Sequence, residues 1–303
     1  MQILVENDFD NGGQMFTQAQ KDSFLADERT AINIYNATFT NNITVTLNFG
    51  FGSLKGKTLA KQDEGAAEQT LIFLTYSQLR PALLASGQPG FFNAVNLPAG
   101  NSLNGVNVPG VSNFFISSSQ QKALGLSPGA SGPDGFIGIG TDASSIAPGA
   151  QRISVFLHEI GHALGRSTGP VIEGGTSVTS VSALDLVRFT SPGNRFFVGG
   201  PAPTDPTFFS IDGGATRLAD WSTTTIDDFL GPPLTPNDSF NFFINSTTTF
   251  TDADIKLMEA LGFRVTNPSP PPGTTAVMVL GGASNGIYQI YKSEVMRPWP
   301  AIS

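Results

Sequence analysis

The chain has two histidines, His158 and His162, and they stand four residues apart in the stretch with the clearest helical periodicity. Over 151–164 the apolar residues Ile153, Phe156, Leu157, Ile160, Ala163 and Leu164 fall on one face, and Gly165 supplies a stop. Side chains four apart on a helix lie one above the other, so both imidazoles reach a single ion. Glu159 is turned about 100° around the axis from His158, which sets its carboxylate beside such an ion rather than on it. Around this helix there is ample material for a core. Hydrophobic residues make up 40% of the 303, with 24 phenylalanines, which argues against a largely disordered chain.

The 34 Gly and 21 Pro favour many turns and short strands over a helical bundle. Strands are predicted at 1–6, 43–49, 70–76, 113–117 and 136–140, and helices at 16–35, 78–85, 119–124, 151–164 and 252–261. Residues 87–110 read as loop, and 167–245 is rich in turns with no periodicity to assign. The class is α+β. One domain is expected over residues 1–266, then a stiff Pro-rich linker at 267–273 and a β-hairpin tail at 274–303. No internal repeat is present.

A net charge of −8 with 16 Lys and Arg and no basic stripe argues against nucleic acid or anionic membrane as partner. No apolar run approaches the ~18 residues of a transmembrane helix. The N-terminus lacks a basic segment followed by an apolar one, so no Sec-type export signal is visible. The absence of cysteine excludes disulfides, thiol catalysis and Cys-based metal sites. An acidic, lysine-poor, Gly- and Asn-rich chain nonetheless leans towards a secreted, extracellular protein. Oligomeric state is not legible here.

His158-Glu159-Ile160-Gly161-His162 matches the H-E-x-x-H pattern. In that pattern two neutral imidazoles and a further protein ligand hold zinc, with water in the fourth place. Glu159 is then the general base, taking a proton from the water and passing it to the leaving amine. With only two histidines in the chain, random placement produces this arrangement roughly once in six thousand trials. The plainer alternative is a helix whose histidines merely make hydrogen bonds.

The run His158-Glu-Ile-Gly-His-Ala-Leu-Gly165 resembles the active-site helix of zincin-type metallopeptidases, especially metzincins, which continue with a glycine and a third histidine. Gly165 holds that glycine position, and Thr168 stands where the third histidine would be. Over roughly residues 1–264 the chain is similar to a family of secreted bacterial metallopeptidase-like proteins. The likeness lies in the early helix with strand 43–49, Gly165-Arg166, and the segments 182–189, 209–214 and 254–262. It implies a zincin-like mixed, twisted sheet with an active-site helix and a C-terminal helical or irregular subdomain. It also implies a zinc endopeptidase acting on protein or peptide substrates.

A carboxylate or a water must then be the third ligand. Asp185 is the first choice: it lies 23 residues after His162 in the apolar segment 181–189, where a charge needs a partner. In zincins with an acidic third ligand, that residue also comes from a helix downstream of the motif. An ion pair with Arg166 or Arg188 is the alternative role for Asp185, and Glu173 and Asp212 are the alternative ligands. Phe136, Ile137, Gly138 and Ile139 lie where zincins place the edge strand that pairs with extended substrate; an ordinary core strand fits as well. Arg166, Arg188, Tyr288 and Tyr291 are candidate oxyanion donors, and Arg188 is also taken as substrate-binding.

Residues 8–13, Asp-Phe-Asp-Asn-Gly-Gly, hint at a Ca²⁺ loop but lack its later ligands, so a capped turn fits better. Met258 reads as core. Two rival functions remain. One is a binding or surface protein that keeps a structural metal, and the other is a zinc hydrolase acting on a non-peptide ester or amide.

Overall fold

The two strongest sequence signals, the alternating segment near residue 45 and the motif helix, pack directly on each other. The computed structural model describes residues 1–9, 15–61, 63–86, 96–99, 113–126, 132–142, 146–168, 171–173, 176–178, 181–198 and 206–265. In chain order the first half comprises β1 (Gln2–Asp8), α1 (Gln18–Thr38), β2 (Thr44–Phe51), the β3–β4 hairpin (Ser53–Leu54, Lys57–Thr58), β5 (Gly65–Gln69), β6 (Leu71–Thr75) and α2 (Tyr76–Ser86). Then follow β7 (Asn113–Ser117), α3 (Ser118–Ala123), β8 (Gly135–Ile139) and α4 (Ala150–Leu164). The rest is short pieces: β9 (Val171–Glu173), β10 (Thr176–Val178), β11 (Val181–Ser182), a 3-10 turn (Ala183–Val187), β12 (Arg188–Ser191), β13 (Asn194–Arg195), β14 (Phe208–Phe209) and β15 (Ala219–Asp220). Helix α5 (Asp252–Ala260) closes the described part. The fold is mixed α+β.

The main sheet has the order β1–β2–β8–β5, the first three parallel and β5 antiparallel to β8. In β2 the alternation does what the pattern asks: Val45, Leu47 and Phe49 are fully buried. Phe49 meets Phe156 of α4 with ring centroids 5.8 Å apart, and Phe24 of α1 meets the same ring at 5.1 Å. Each such phenylalanine stabilises the fold by roughly 1.5–3 kcal/mol through burial. Helix α1 starts on a capping box made by Thr17 and Gln20. Asp27 of α1 accepts from Gly149 N at 2.9 Å and from Arg152 Nε at 2.8 Å, which places a carboxylate at the positive end of α4. Tyr35 donates to the Leu157 carbonyl at 2.7 Å. The motif helix is therefore held by the sheet on one side and by α1 along its length.

One expectation is overturned here. The strand predicted at 136–140 exists as β8, but it is interior, paired to β2 on one side and to β5 on the other. Its backbone groups are committed, so Phe136, Ile137, Gly138 and Ile139 have no free edge to offer a substrate. The edge belongs to β5, whose sequence Gly-Ala-Ala-Glu-Gln has no β-branched or aromatic residue and gives no strand signal. It forms because β8 offers it a ladder and α4 lies beneath it.

Among the described residues no helix is long and apolar enough to cross a membrane. The Pro-rich linker at 267–273, the tail at 274–303 with Tyr288 and Tyr291, residues 10–13 of the Ca²⁺-like segment, and most of the loop at 87–110 lie outside the described residues. Met258 is fully buried in the core.

Candidate metal centre

Helix α4 carries His158 and His162 on successive turns, and the outer nitrogen of each ring is fixed by a backbone carbonyl. His158 Nδ1 donates to Ser239 O at 2.9 Å, and His162 Nδ1 donates to Arg166 O at 2.6 Å. A carbonyl can only accept, so each Nδ1 carries a proton and each neutral ring is left with a lone pair on Nε2. Those two Nε2 atoms are 3.1 Å apart. Asp228 Oδ1 completes a triangle, 3.2 Å from His158 Nε2 and 3.1 Å from His162 Nε2. Three electron-pair donors thus converge on one point, and they repel unless a cation or a shared proton lies among them. Three ligands bound tetrahedrally at ~2.0–2.1 Å to one zinc stand about 3.3–3.4 Å from each other, within a few tenths of an ångström of this triangle. Among the described residues this is also the group of His and acidic side chains placed to hold a metal.

Asp228 is aimed by Arg166, the residue after the helix-stopping glycine. The buried guanidinium gives Nη1 to Asp228 Oδ1 at 2.5 Å and to the Asp227 carbonyl at 2.8 Å, and Nη2 to the His158 carbonyl at 3.0 Å. It also lies over the Phe240 ring, 4.3 Å from the centroid. Gly165 takes a φ of 133°, and a Cβ there would stand 2.5 Å from Gln120 Oε1, so only glycine lets the chain turn back at this point. Burial pushes the Asp228 carboxyl upward, but a protonated His158 ring and the Arg166 guanidinium oppose it and hold it well below the usual range; beside neutral rings the guanidinium is the cation that remains. It is an anion, as a ligand must be.

Asp185, the expected third ligand, is elsewhere. Its fully buried carboxylate accepts from Thr168 Oγ1 at 2.9 Å, from Arg188 Nε at 3.3 Å, and from the Ser182 and Val198 amides at 3.3 Å each. The ion pair with Arg188 is what satisfies this charge, and the third donor to the triangle is Asp228. Arg188 is not in the cleft either. It is fully buried over the Trp221 ring, donating to Thr207 Oγ1 at 3.1 Å and to the Ile226 carbonyl. Through Ile226 it braces the segment that carries Asp228. Asp212 is a turn residue, accepting from Ser210 Oγ at 2.6 Å and Thr216 N at 2.8 Å, and Glu173 falls on β9 with its side chain outside the description. Asp228 was missed because it lies in the unpatterned stretch, where Asp227-Asp228 beside Phe229 is the only cue.

Glu159 is 7% exposed, and its carboxylate makes no hydrogen bond among the described residues. Burial pushes it up to about 7, with His158 opposing and Asp228 adding to the rise. It seats directly against Gly65 of β5: a Cβ at that position would stand 2.5 Å from Glu159 Oε1. The triangle and Glu159 open together into a cleft of about 420 Å³. The residues 64–67 and Gln69 line one wall, and Thr225, Asp227, Phe242 and Ile244 line the other. Gln69 Nε2 donates to the His162 carbonyl, which ties the edge strand to the motif helix.

No family model matches the chain, and no curated protein or solved structure matches it. The functional reading therefore rests on the geometry and the sequence.

Proposed function

We propose that this chain is a zinc-dependent peptidase in which His158, His162 and Asp228 hold the metal and Glu159 is the general base. The observation that carries this reading is the convergence of two tautomer-fixed imidazoles and one anionic carboxylate, with an unpartnered carboxylate beside them in an open cleft. Two imidazoles and one carboxylate are a recurrent catalytic donor set for zinc. Bound zinc supplies Lewis-acid activation of a water molecule and of a carbonyl.

The chain's own residues do the rest. Glu159, lifted by burial towards neutrality, accepts a proton from the attacking water and returns it to the leaving nitrogen. Arg166 keeps Asp228 ionised and aimed. The outer edge of β5 is unpaired among the described residues, and an extended chain laid along it gains backbone hydrogen bonds. That open edge favours a peptide over a compact ester or amide. The small side chains of Gly65, Ala66 and Ala67 leave room for such a chain beside Glu159. A purely structural metal would have its fourth side closed by protein; here the described group has three donors and opens on the cleft.

The test is elemental analysis combined with digestion of a peptide library. Wild type is expected to hold about one zinc and to cleave peptides, and Glu159→Gln to keep the zinc and lose turnover. A Glu159→Gln protein as active as wild type, or a wild type that takes up no zinc, would refute the assignment.

A further inference from the structure

Behind His158, on the side away from the cleft, lies a second pair of acidic residues that the chemistry above does not use. Asp238 and Asp254 are both fully buried, as is Ser239 between them in the network. Asp254 Oδ2 accepts from Ser239 Oγ at 2.6 Å and from Thr251 N at 2.9 Å. Asp238 Oδ1 accepts from Phe240 N at 2.8 Å, and Oδ2 accepts from Thr251 Oγ1. The remaining oxygen, Asp254 Oδ1, is sealed from solvent and has no donor. No lysine or arginine pairs with either carboxylate among the described residues.

Two carboxylates sharing one dry site cannot both stay ionised, because the second charge has neither water nor a cation to offset it. A neutral Asp254 resolves the deficit: both carboxylates sit on Thr251, Asp254 on its amide and Asp238 on its hydroxyl, so a protonated Asp254 has Asp238 as the neighbouring acceptor. Burial first, then the charge of Asp238 and a hydrogen bond to it, push the Asp254 carboxyl well above its usual range. The other titratable group beside the pair is Tyr35 of α1, itself raised by burial and by Asp254, with Arg166 opposing. Arg166 is committed to Asp228 and to the Asp227 and His158 carbonyls.

The pair matters because of what Ser239 does. Its hydroxyl is held by Asp254, its amide donates to the Thr249 carbonyl at 2.9 Å, and its carbonyl is the acceptor that fixes the His158 tautomer. We propose that Asp238 and Asp254 share a single proton in the folded protein and that this acid pair, acting through Ser239, is the positioning device for His158. One proton is taken from solvent as the chain folds, and none is exchanged during turnover. The positioning role rests on the reading of His158 as a metal ligand; the shared proton does not.

Two measurements separate these parts. The first uses the zinc-free 303-residue chain and follows unfolding by urea from pH 5 to pH 8. Wild type is expected to lose stability with rising pH as the shared proton becomes harder to keep. Asp254→Asn, whose amide donates permanently, should show a shallower slope. An identical slope in both proteins would overturn the shared proton. So would a wild type that Ca²⁺ stabilises beside an Asn variant that is destabilised at every pH and does not respond to Ca²⁺, which would mean two anions around a cation.

The second measurement is zinc affinity by competition with a chromophoric chelator, alongside ¹⁵N spectra of the imidazoles. With two histidines in the chain these spectra are readily assigned. Asp254→Ala and Ser239→Ala should weaken zinc about 10–100-fold and shift the His158 Nδ1 signal, while Asp254→Asn restores both. Unchanged His158 signals in Asp254→Ala and Ser239→Ala would overturn the positioning role. A wild type that binds no zinc but shows those shifts would sink the peptidase reading and leave the device standing.

Discussion

Two buried aspartates, each beside a buried arginine, have opposite fates in this molecule. Asp185 and Arg188 sit three residues apart on the 3-10 turn and β12, sealed from solvent, with four donors spread over both carboxylate oxygens. Asp228 and Arg166 come from segments 62 residues apart, and one oxygen of Asp228 faces two imidazoles at the floor of a cleft. Burial, partly offset by Arg188, pushes Asp185 up to about 6, whereas Asp228 is held well below the usual carboxylate range. A carboxylate surrounded by its own donors is finished chemically. One set against two imidazole nitrogens leaves a place among them for a cation or a shared proton. Proximity to an arginine alone does not tell them apart; what the remaining oxygen surface faces does.

The sharpest way to break this contrast is to remove each carboxylate in turn. Asp228→Ala is expected to lose stoichiometric zinc and all measurable cleavage, a larger loss than the ~10–100-fold typical of a supporting residue. Asp185→Asn should keep about one zinc by elemental analysis. Zinc retained by the first and lost by the second would exchange the roles of the two residues.

A smaller effect is expected from the far wall of the cleft. In Gly65→Ala the new methyl stands 2.5 Å from Glu159 Oε1 and must push the base aside. The expected loss is about 10–100-fold in kcat with zinc content unchanged, in line with the cost of misplacing a reacting group by about an ångström. Full activity in this variant would mean that Glu159 works from some other position.

A last effect, on stability alone, sharpens the description of the Asp185 pair. Its carboxyl holds a proton more tightly in the folded protein, at about 6, than in the unfolded chain, where aspartate titrates near ~3.9. The stability gained this way is complete below about pH 4 and is lost as pH rises through about 6. Between pH 4 and pH 7, Asp185→Asn is therefore expected to lose about 2 kcal/mol less than wild type in urea titrations. Parallel curves would mean that Arg188 fully neutralises the charge.

How much of this was legible in the sequence follows the same division. Helix α4 was readable because its period, its stop and its two histidines all lie within fifteen residues, where helix geometry alone decides what faces what. Strand β2 was readable by alternation, α1 by its pattern, and α5 by its pattern and cap, whereas the Thr17 cap of α1 was not read. Asp228 was not readable. Its position is set by Arg166 and by Arg188 through Ile226, contacts between distant segments with no local period. Strand β5 was invisible for a related reason: Gly-Ala-Ala-Glu-Gln has no propensity of its own and becomes a strand only because β8 is beside it. The expectation that β8 was the edge was reasonable from chain order, but chain order does not reveal an antiparallel strand added outside it.

That added strand carries a liability of another kind. A ladder left unpaired among the described residues is open to any extended segment, including one from a partly unfolded copy of the same chain. The molecule limits this hazard by keeping β5 to five residues without aliphatic branches and by placing Glu68, half-exposed and paired to Lys55 at 2.8 Å, on its face. A longer or more hydrophobic strand would be the first place where two molecules stick together.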